Sequence, residues 1–103
     1  MSENSQNELK FTNETINSST NVLVAVKATW CGPCQVLTPT LEELQSEGHP
    51  IYLLDADENS DFVGMNAIRS VPTMIVFRDG KEVTRTSGLK TKEEIVQLLN
   101  TNQ

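Results

Sequence analysis

Hydrophobic residues recur along the 103-residue chain in short clusters that are separated by polar turns. The clusters "NVLVAVKA" (Asn21–Ala28), "IYLLDAD" (Ile51–Asp57) and "TMIVF" (Thr73–Phe77) are nearly continuous and rich in β-branched residues. Such runs are typical of strands covered on both faces. We therefore predict three buried strands, the first of them central, and a weaker strand in "LKFT" (Leu9–Thr12) before a short helix or turn in "NETINSST".

Between these strands the apolar spacing changes to that of helices. The segment "CQVLTPTLEELQSEG" predicts a helix that ends at Gly48 and kinks at Pro39. Four of its apolar positions follow the helical repeat: Val36, Leu37, Leu41 and Leu44. The segment "SDFVGMNAI" predicts a second, shorter helix before the third strand.

The C-terminal part predicts a hairpin followed by a helix. Asp79-Gly80 is a hairpin-turn signal between the third strand and "KEVTRTSG", and Thr91 begins an amphipathic helix. The apolar positions of that helix are Ile95, Val96, Leu98 and Leu99. The resulting order βαβαβαββα predicts an α/β fold, a three-layer α/β/α sandwich around a central mixed sheet. We expect residues 1–8 to be a flexible tail and residues 9–103 to form a single domain.

Charge and hydropathy exclude several function classes. Fourteen acidic and eight scattered basic residues give a net charge of -6, which disfavours binding to nucleic acid. The longest apolar stretch is too short to span a bilayer, and the polar N-terminus does not resemble a secretory signal. We expect a cytoplasmic protein that acts on neither membranes nor nucleic acid.

The candidate chemistry lies in "KATWCGPCQ", which holds the only two cysteines, Cys31 and Cys34. A bridge over three residues closes little loop entropy, so it is a poor structural staple. Cys31 stands at a predicted helix N-terminus, where unpaired N–H groups favour a thiolate, and Cys34 lies one turn further on. Gly32 permits close approach of a partner, and Pro33 stiffens the first turn. The spacing predicts an attacking thiol and a resolving thiol that exchange two electrons with a disulfide.

Two metal-site alternatives are weaker. One C-x-x-C pair supplies half of a zinc site, and His49, the only histidine, lies in a polar turn. Asp55, Asp57 and Asn59 resemble the start of a calcium loop, yet Ser60 stands where that loop needs glycine. We predict that these residues belong to solvated loops and that the protein binds no metal.

The motifs "WCGPC", "SVPT", "RDG" and "SGL" occur in an order that resembles the thioredoxin family from about Asn21 to Asn100. The resemblance implies that Pro72 is a cis-proline beside the dithiol and that the Val71 backbone pairs with an extended substrate. It also implies a shallow substrate-binding rim around Cys31, formed by Trp30, Gly32, Pro33, Ser70, Val71, Ser87 and Gly88.

The resemblance further implies the activity and the partners. The function would be the reduction of disulfides in other proteins, with a thioredoxin reductase-type enzyme restoring the dithiol and no bound cofactor. We expect a monomer. The alternative is a thioredoxin-fold binding subunit of a larger complex with little redox role.

Four positions depart from the family pattern. Family members carry a buried aspartate where this chain has Ala25 and a facing lysine where it has Leu53. Losing both charges together leaves no unpaired buried charge, but it removes the residue that handles the Cys34 proton. Lys27 replaces a tryptophan, and it either extends into solvent or favours the Cys31 thiolate. Gln35 replaces a lysine that often follows the second cysteine.

Overall fold

The structure is a computed structural model that describes residues 11–12 and 14–102. The strands are β1 (Val22–Lys27), β2 (Ile51–Asp55), β3 (Thr73–Arg78) and β4 (Lys81–Ser87). The α-helices are α1 (Gly32–Ser46), α2 (Ser60–Met65) and α3 (Lys92–Leu99). Short 3₁₀ turns occupy Thr15–Asn17 and Ala56–Glu58.

The four strands form one mixed sheet in the order β2-β1-β3-β4. β1 runs parallel to β2 and antiparallel to β3, and β3 pairs antiparallel with β4. The predicted mixed sheet and the interior position of β1 are confirmed. The chain therefore leaves β1 from the middle of the sheet and enters α1 directly through the dithiol segment.

Alternating residues of β1 supply cores on both faces of the sheet. Leu23 and Ala25 belong to a buried cluster with residues of α1 and α3. Val24 and Val26 belong to a second cluster, against which Phe62 of α2 packs on the other face. Because successive strand side chains point to opposite faces, an all-apolar strand is what a sheet covered on both sides requires. The three-layer prediction is confirmed.

The closing hairpin and the last helix also form as predicted. Asp79 and Gly80 adopt left-handed φ angles of 55° and 79° at the turn. The Gly80 N–H donates to the Ile16 carbonyl at 2.7 Å, which ties the turn to the first 3₁₀ segment. Thr91 caps α3 through a capping box with Glu94, which explains why the helix begins there.

The structure corrects the predicted face of α1. Val36 is 64% exposed, whereas Leu37, Leu41 and Leu44 are buried. The buried positions follow the i, i+4, i+7 spacing, and Val36 lies about 100° away from Leu37 around the helix axis. Local periodicity allowed both faces, and packing on the sheet selected one.

Several predicted boundaries were wrong. α1 ends at Ser46 rather than Gly48, and β2 ends at Asp55 because a 3₁₀ turn follows it. Phe11 and Thr12 are not in a strand. The rest of the predicted first strand, residues 9 and 10, and the predicted tail of residues 1–8 lie outside the described residues.

A buried polar cluster joins the start of the sheet to the end of α3. Asn21 is buried, and its amide group donates to the carbonyls of Leu99 and Thr101, each at 2.8 Å. Its Oδ1 accepts from the Arg78 guanidinium at 3.0 Å. These bonds hold the C-terminal end of the helix against the sheet.

Candidate active site

The two cysteines lie where β1 passes into α1. Cys31 has extended backbone angles (φ -97°, ψ 113°) and is the N-cap of the helix. Its Sγ accepts the Cys34 backbone N–H at 3.1 Å, so the sulfur occupies the usual position of a capping oxygen. Cys31 and Cys34 form a disulfide, with their Cα atoms 5.3 Å apart. The capping contact and the helix dipole favour a negative charge on the Cys31 sulfur when the disulfide is reduced.

Exposure hardly distinguishes the two cysteines. Cys31 is 5% exposed and Cys34 is 2% exposed, and both belong to a small buried cluster with Ala28, on which Val71 packs. The difference in their environments therefore comes from their positions on the helix. Cys31 is the N-cap, whereas Cys34 lies within the first turn.

The segment before β3 lies directly against the disulfide. The Val71–Pro72 peptide bond is cis, as the family resemblance implied. The Val71 carbonyl oxygen is 3.6 Å from Cys31 Sγ, and Pro72 is buried. The Pro72 carbonyl accepts the Gly88 N–H at 3.0 Å, and Gly88 has a left-handed φ of 87°, which favours glycine at this position. Two loops thereby meet beside Cys31.

The residues expected to form the rim fall into two groups. Trp30, Gly32 and Pro33 adjoin the cysteines in sequence and are exposed, with Trp30 at 69%. The second group is Ser70, Val71, Ser87 and Gly88, which the Val71 contact with Cys31 and the pairing of Thr73 with Ser87 bring to the same edge. Of these residues, Val71 is the one whose contact with Cys31 is direct.

Asp57 holds the Trp30 ring, a contact that sequence reasoning missed. The Trp30 Nε1–H donates to Asp57 Oδ2 at 3.1 Å. Asp55 Oδ1 in turn accepts the Asp57 N–H at 2.8 Å, and the Asn59 amide donates to the Asp55 carbonyl at 2.9 Å. The three residues considered for calcium are thus engaged in local hydrogen bonds.

The part of the chain that the structure describes contains no cluster of three or more His, Cys, Asp or Glu side chains able to hold a metal ion. None of the helices in residues 11–12 and 14–102 is long and apolar enough to cross a membrane.

The two apolar departures from the family pattern lie opposite one another. Ala25 on β1 is in register with Leu53 on β2, and Ala25 is 1% exposed. Leu53 packs against the same buried cluster. The site that a charged pair would occupy is therefore filled by hydrocarbon.

Lys27 lies on the Cys34 side of the dithiol. A pocket of about 360 Å³ is lined by both residues together with Ala28, Thr29, Gln35, Thr38 and Pro39. The Lys27 side chain makes no hydrogen bond or ion pair with residues 11–12 and 14–102 that the structure records. Gln35 donates to the Thr29 carbonyl at 3.1 Å, and Thr38 donates to the Cys34 carbonyl at 2.7 Å. Lys27 is the titratable side chain, besides the cysteine, on the lining of this pocket.

Comparisons with known proteins agree with this geometry. A family model described as Thioredoxin matches residues 3–101. Thioredoxin from Bacillus subtilis is 37% identical over 98 residues, covering 89% of this chain and 94% of its own length. Thioredoxin from Chlamydia trachomatis is 42% identical over 84 residues, covering 80% and 82%.

Solved structures agree on the fold. A point-mutant thioredoxin from Halobacterium salinarum superimposes with a TM-score of 0.75 at 30% identity, covering 88% of this chain and 82% of that one. Thioredoxin from Malassezia sympodialis superimposes with a TM-score of 0.77 at 23% identity, covering 88% and 83%.

The family match extends over nearly the whole chain, and the dithiol lies at the helix N-terminus beside a cis X-Pro bond. Neither the relatives nor the site favours the alternative of a binding subunit. The chain therefore belongs to the thioredoxin family and is a protein thiol-disulfide oxidoreductase that works through its own Cys31–Cys34 disulfide instead of a bound cofactor.

Proposed function

We propose that Cys31 is the attacking thiol and Cys34 the resolving thiol in the reduction of protein disulfides. The Cys31 thiolate attacks one substrate sulfur, forms a mixed disulfide, and releases the other substrate sulfur as a thiolate. The Cys34 thiolate then attacks Cys31 Sγ and releases the second substrate thiolate. Two electrons pass to the substrate, and the protein is left with the Cys31–Cys34 disulfide. A reductase returns two electrons and two protons.

The observation that carries this assignment is the capping contact between Cys31 Sγ and the Cys34 N–H at 3.1 Å. A backbone N–H stabilises the thiolate over the thiol, because only the anion gains a charge-assisted hydrogen bond. The same contact holds Cys34 one helical turn away, within reach of the sulfur that it must attack. Cys34 has no equivalent N-cap position, so the two thiols have different roles.

Pro72 and the rim position the substrate. Val71 offers backbone polar groups next to Cys31, and an extended segment of the substrate adds to them as a short strand. Trp30 supplies exposed apolar area beside the sulfur, and its bond to Asp57 limits the rotation of the ring. The absence of side chains at Gly32 and Gly88 leaves room for the backbone of the substrate.

The Cys34 proton leaves through the pocket that Lys27 lines. Ala25 cannot accept a proton, and Leu53 beside it is also apolar. The pocket next to Cys34 opens to solvent and so gives the proton a route to water, and because Lys27 lines this pocket its positive charge stabilises the thiolate that remains. Asp55, opposite Lys27 across the β1–β2 pairing, is the nearest acidic partner in register and uses Oδ1 to cap the following turn. Lys27 thus tunes Cys34 rather than Cys31.

A thioredoxin reductase-type enzyme is the partner that restores the dithiol. The protein acts as a monomer, because the rim must remain open to large disulfide-bearing partners. It acts in the cytoplasm, where thiols are kept reduced.

Trapping experiments with two single variants test the assignment of roles. Cys34→Ser retains the attacking thiol, so mixing it with a protein disulfide should accumulate a stable mixed disulfide on Cys31. Cys31→Ser is the matched control and should neither trap nor reduce the substrate at a comparable rate. Mass spectrometry of the trapped species identifies the bonded cysteine. Equal trapping by the two variants would contradict the assignment.

A further inference from the structure

A second pocket, of about 410 Å³, adjoins the Val71–Pro72 segment, and its lining is polar and basic. Arg69 and Arg85 contribute guanidinium groups, and the remaining lining includes Ser70, Thr73, Thr86 and Ser87. Ser70 and Ser87 also belong to the proposed rim. Ser70 and Thr73 of the pocket lining are one residue and two residues from Val71 in the sequence. Because the Val71 carbonyl is 3.6 Å from Cys31 Sγ, the pocket lies close to the reactive sulfur.

The Arg85 side chain is fixed by hydrogen bonds that leave some of its N–H groups unused. Its Nε and Nη2 donate to Glu82 Oε2 and Oε1 at 2.9 and 2.7 Å, and Nη2 also donates to the Asn66 carbonyl at 2.8 Å. A guanidinium carries five N–H donors, and these bonds use three of them. The two N–H groups of Nη1 make no recorded hydrogen bond to residues 11–12 and 14–102. The side chain is therefore oriented in advance, with donors available to a ligand.

Arg69 has no hydrogen bond or ion pair within the described part of the chain, and it is exposed. The two arginines and Glu82 leave a local charge of +1, in a protein whose net charge is -6. A basic pocket on an acidic protein attracts an acidic group and disfavours a basic one.

We infer that Arg69 and Arg85 form a subsite for a carboxylate side chain of the substrate protein. The inference rests on the proposed function, because it assigns the substrate class of the same disulfide-reducing site. Arg69 is two residues before Val71 in the sequence, and Ser70 is one residue before it. An extended substrate chain advances about 3.3 Å per residue. The preferred substrates are therefore protein disulfides with an Asp or Glu about one to three residues from the attacked cysteine.

Three peptide disulfides test the subsite. They are identical except for Asp, Asn or Lys two residues from the attacked cysteine, and the reduced protein is assayed against each at low salt. The measured quantity is the ratio of kcat/KM for the Asp and Asn peptides within one variant, so a general loss of activity cancels. We expect the wild-type ratio to exceed one by about two- to fivefold, the range of an exposed ion pair, and to fall with added salt.

Arg69→Gln removes one positive charge from the pocket and should lower the ratio towards one. The double variant Arg69→Gln/Arg85→Gln leaves Glu82 alone and should lower it below one. Lys81→Gln is the matched control, because it removes the same charge at the opposite end of β4.

The outcomes separate the subsite from the function that it serves. A wild-type ratio of one, or equal decreases in Arg69→Gln and Lys81→Gln, would overturn the subsite while leaving the reductase activity intact. Failure of the wild-type protein to reduce any of the three peptides would overturn the proposed function and the subsite with it.

Discussion

Ala25 lies directly opposite Leu53 in the parallel pairing of β1 with β2, and both side chains pack in the core beneath α1. This apolar pair stands where the family carries a buried aspartate and its facing lysine. Replacing both members of a buried charged pair by apolar residues is often neutral or stabilising, whereas restoring one of them strands a charge. We therefore expect a single carboxylate introduced at this position to destabilise the core.

Ala25→Asp should destabilise the protein by about 3–5 kcal/mol at neutral pH, because the carboxylate has no partner. Burial raises the pKa of such a carboxyl, so the penalty should grow as pH rises above the unfolded-state value of about 3.9 and shrink below it. Ala25→Asn is the matched control, similar in size but uncharged at every pH. Urea unfolding at neutral and acidic pH measures the difference between the variants.

Adding Leu53→Lys to Ala25→Asp should recover part of the stability that the single substitution loses. A double-mutant cycle isolates the interaction between the two new charges. A difference between Ala25→Asp and Ala25→Asn that does not change with pH would contradict the account of this core.

Lys27 should control the resolution step. Lys27→Met keeps an apolar stem but removes the charge from the lining of the Cys34 pocket, and it should slow resolution relative to attack by about two- to fivefold. Lys27→Arg retains the charge and serves as the control. Resolution should also accelerate as pH rises towards the ordinary thiol pKa of about 8.5, because more Cys34 is ionised.

Fluorescence of Trp30, the only tryptophan, can follow both steps after mixing with a peptide disulfide. Acid quenching and mass spectrometry then measure the mixed disulfide at each time point. Two results would exclude this role for the pocket. One is a resolution rate that does not change over the two pH units below the ordinary thiol pKa, and the other is a resolution rate that is the same in Lys27→Met as in the wild-type protein.

Asn21→Ala should cost about 2–4 kcal/mol of folding free energy, because it removes the hydrogen bonds to the buried Leu99 carbonyl and the partly buried Thr101 carbonyl and deprives the Arg78 guanidinium of this partner. Asn66→Ala is a control of the same residue type, since the Asn66 side chain makes one local bond to the Phe62 carbonyl. Urea unfolding compares the two. An equal loss of folding free energy in both variants would show that the Asn21 hydrogen bonds contribute no more to stability than the single local bond of Asn66.

Glu82 should give a small pH-dependent contribution to stability. Its hydrogen bonds to Arg85 lower the pKa of the Glu82 carboxyl from 4.5, while burial opposes the shift. The pair therefore stabilises the fold above that value and loses its contribution as pH falls through the lower folded-state value. Because both side chains are partly exposed, Glu82→Gln should cost less than about 1 kcal/mol at neutral pH and nothing in strong acid.

Glu42→Gln, at an exposed position of α1 without an ion pair among the described residues, is the control for the change in charge. Thermal unfolding at neutral and acidic pH measures both variants. A Glu82→Gln penalty that persists in strong acid would refute an electrostatic origin.

The sequence by itself determined the order of the elements and the identity of the reactive groups. Continuous apolar runs such as Val22–Val26 have to be covered on both faces, so they specified interior strands without any knowledge of neighbours. Cys31, Gly32, Pro33 and Cys34 carry their chemistry in their spacing, because a helix N-terminus and its first turn are local structures.

Only the tertiary structure decided which face of α1 is buried, and therefore that Val36 is exposed, because helical periodicity allowed both choices. It also joined residues far apart in the chain: Trp30 with Asp57, Asn21 with Arg78, and Arg69 with Arg85 around one pocket. No local signal marks such contacts, since each depends on loops that the packing of the sheet brings together. The sequence thus specified which groups react, and the packing of distant segments specified what surrounds them.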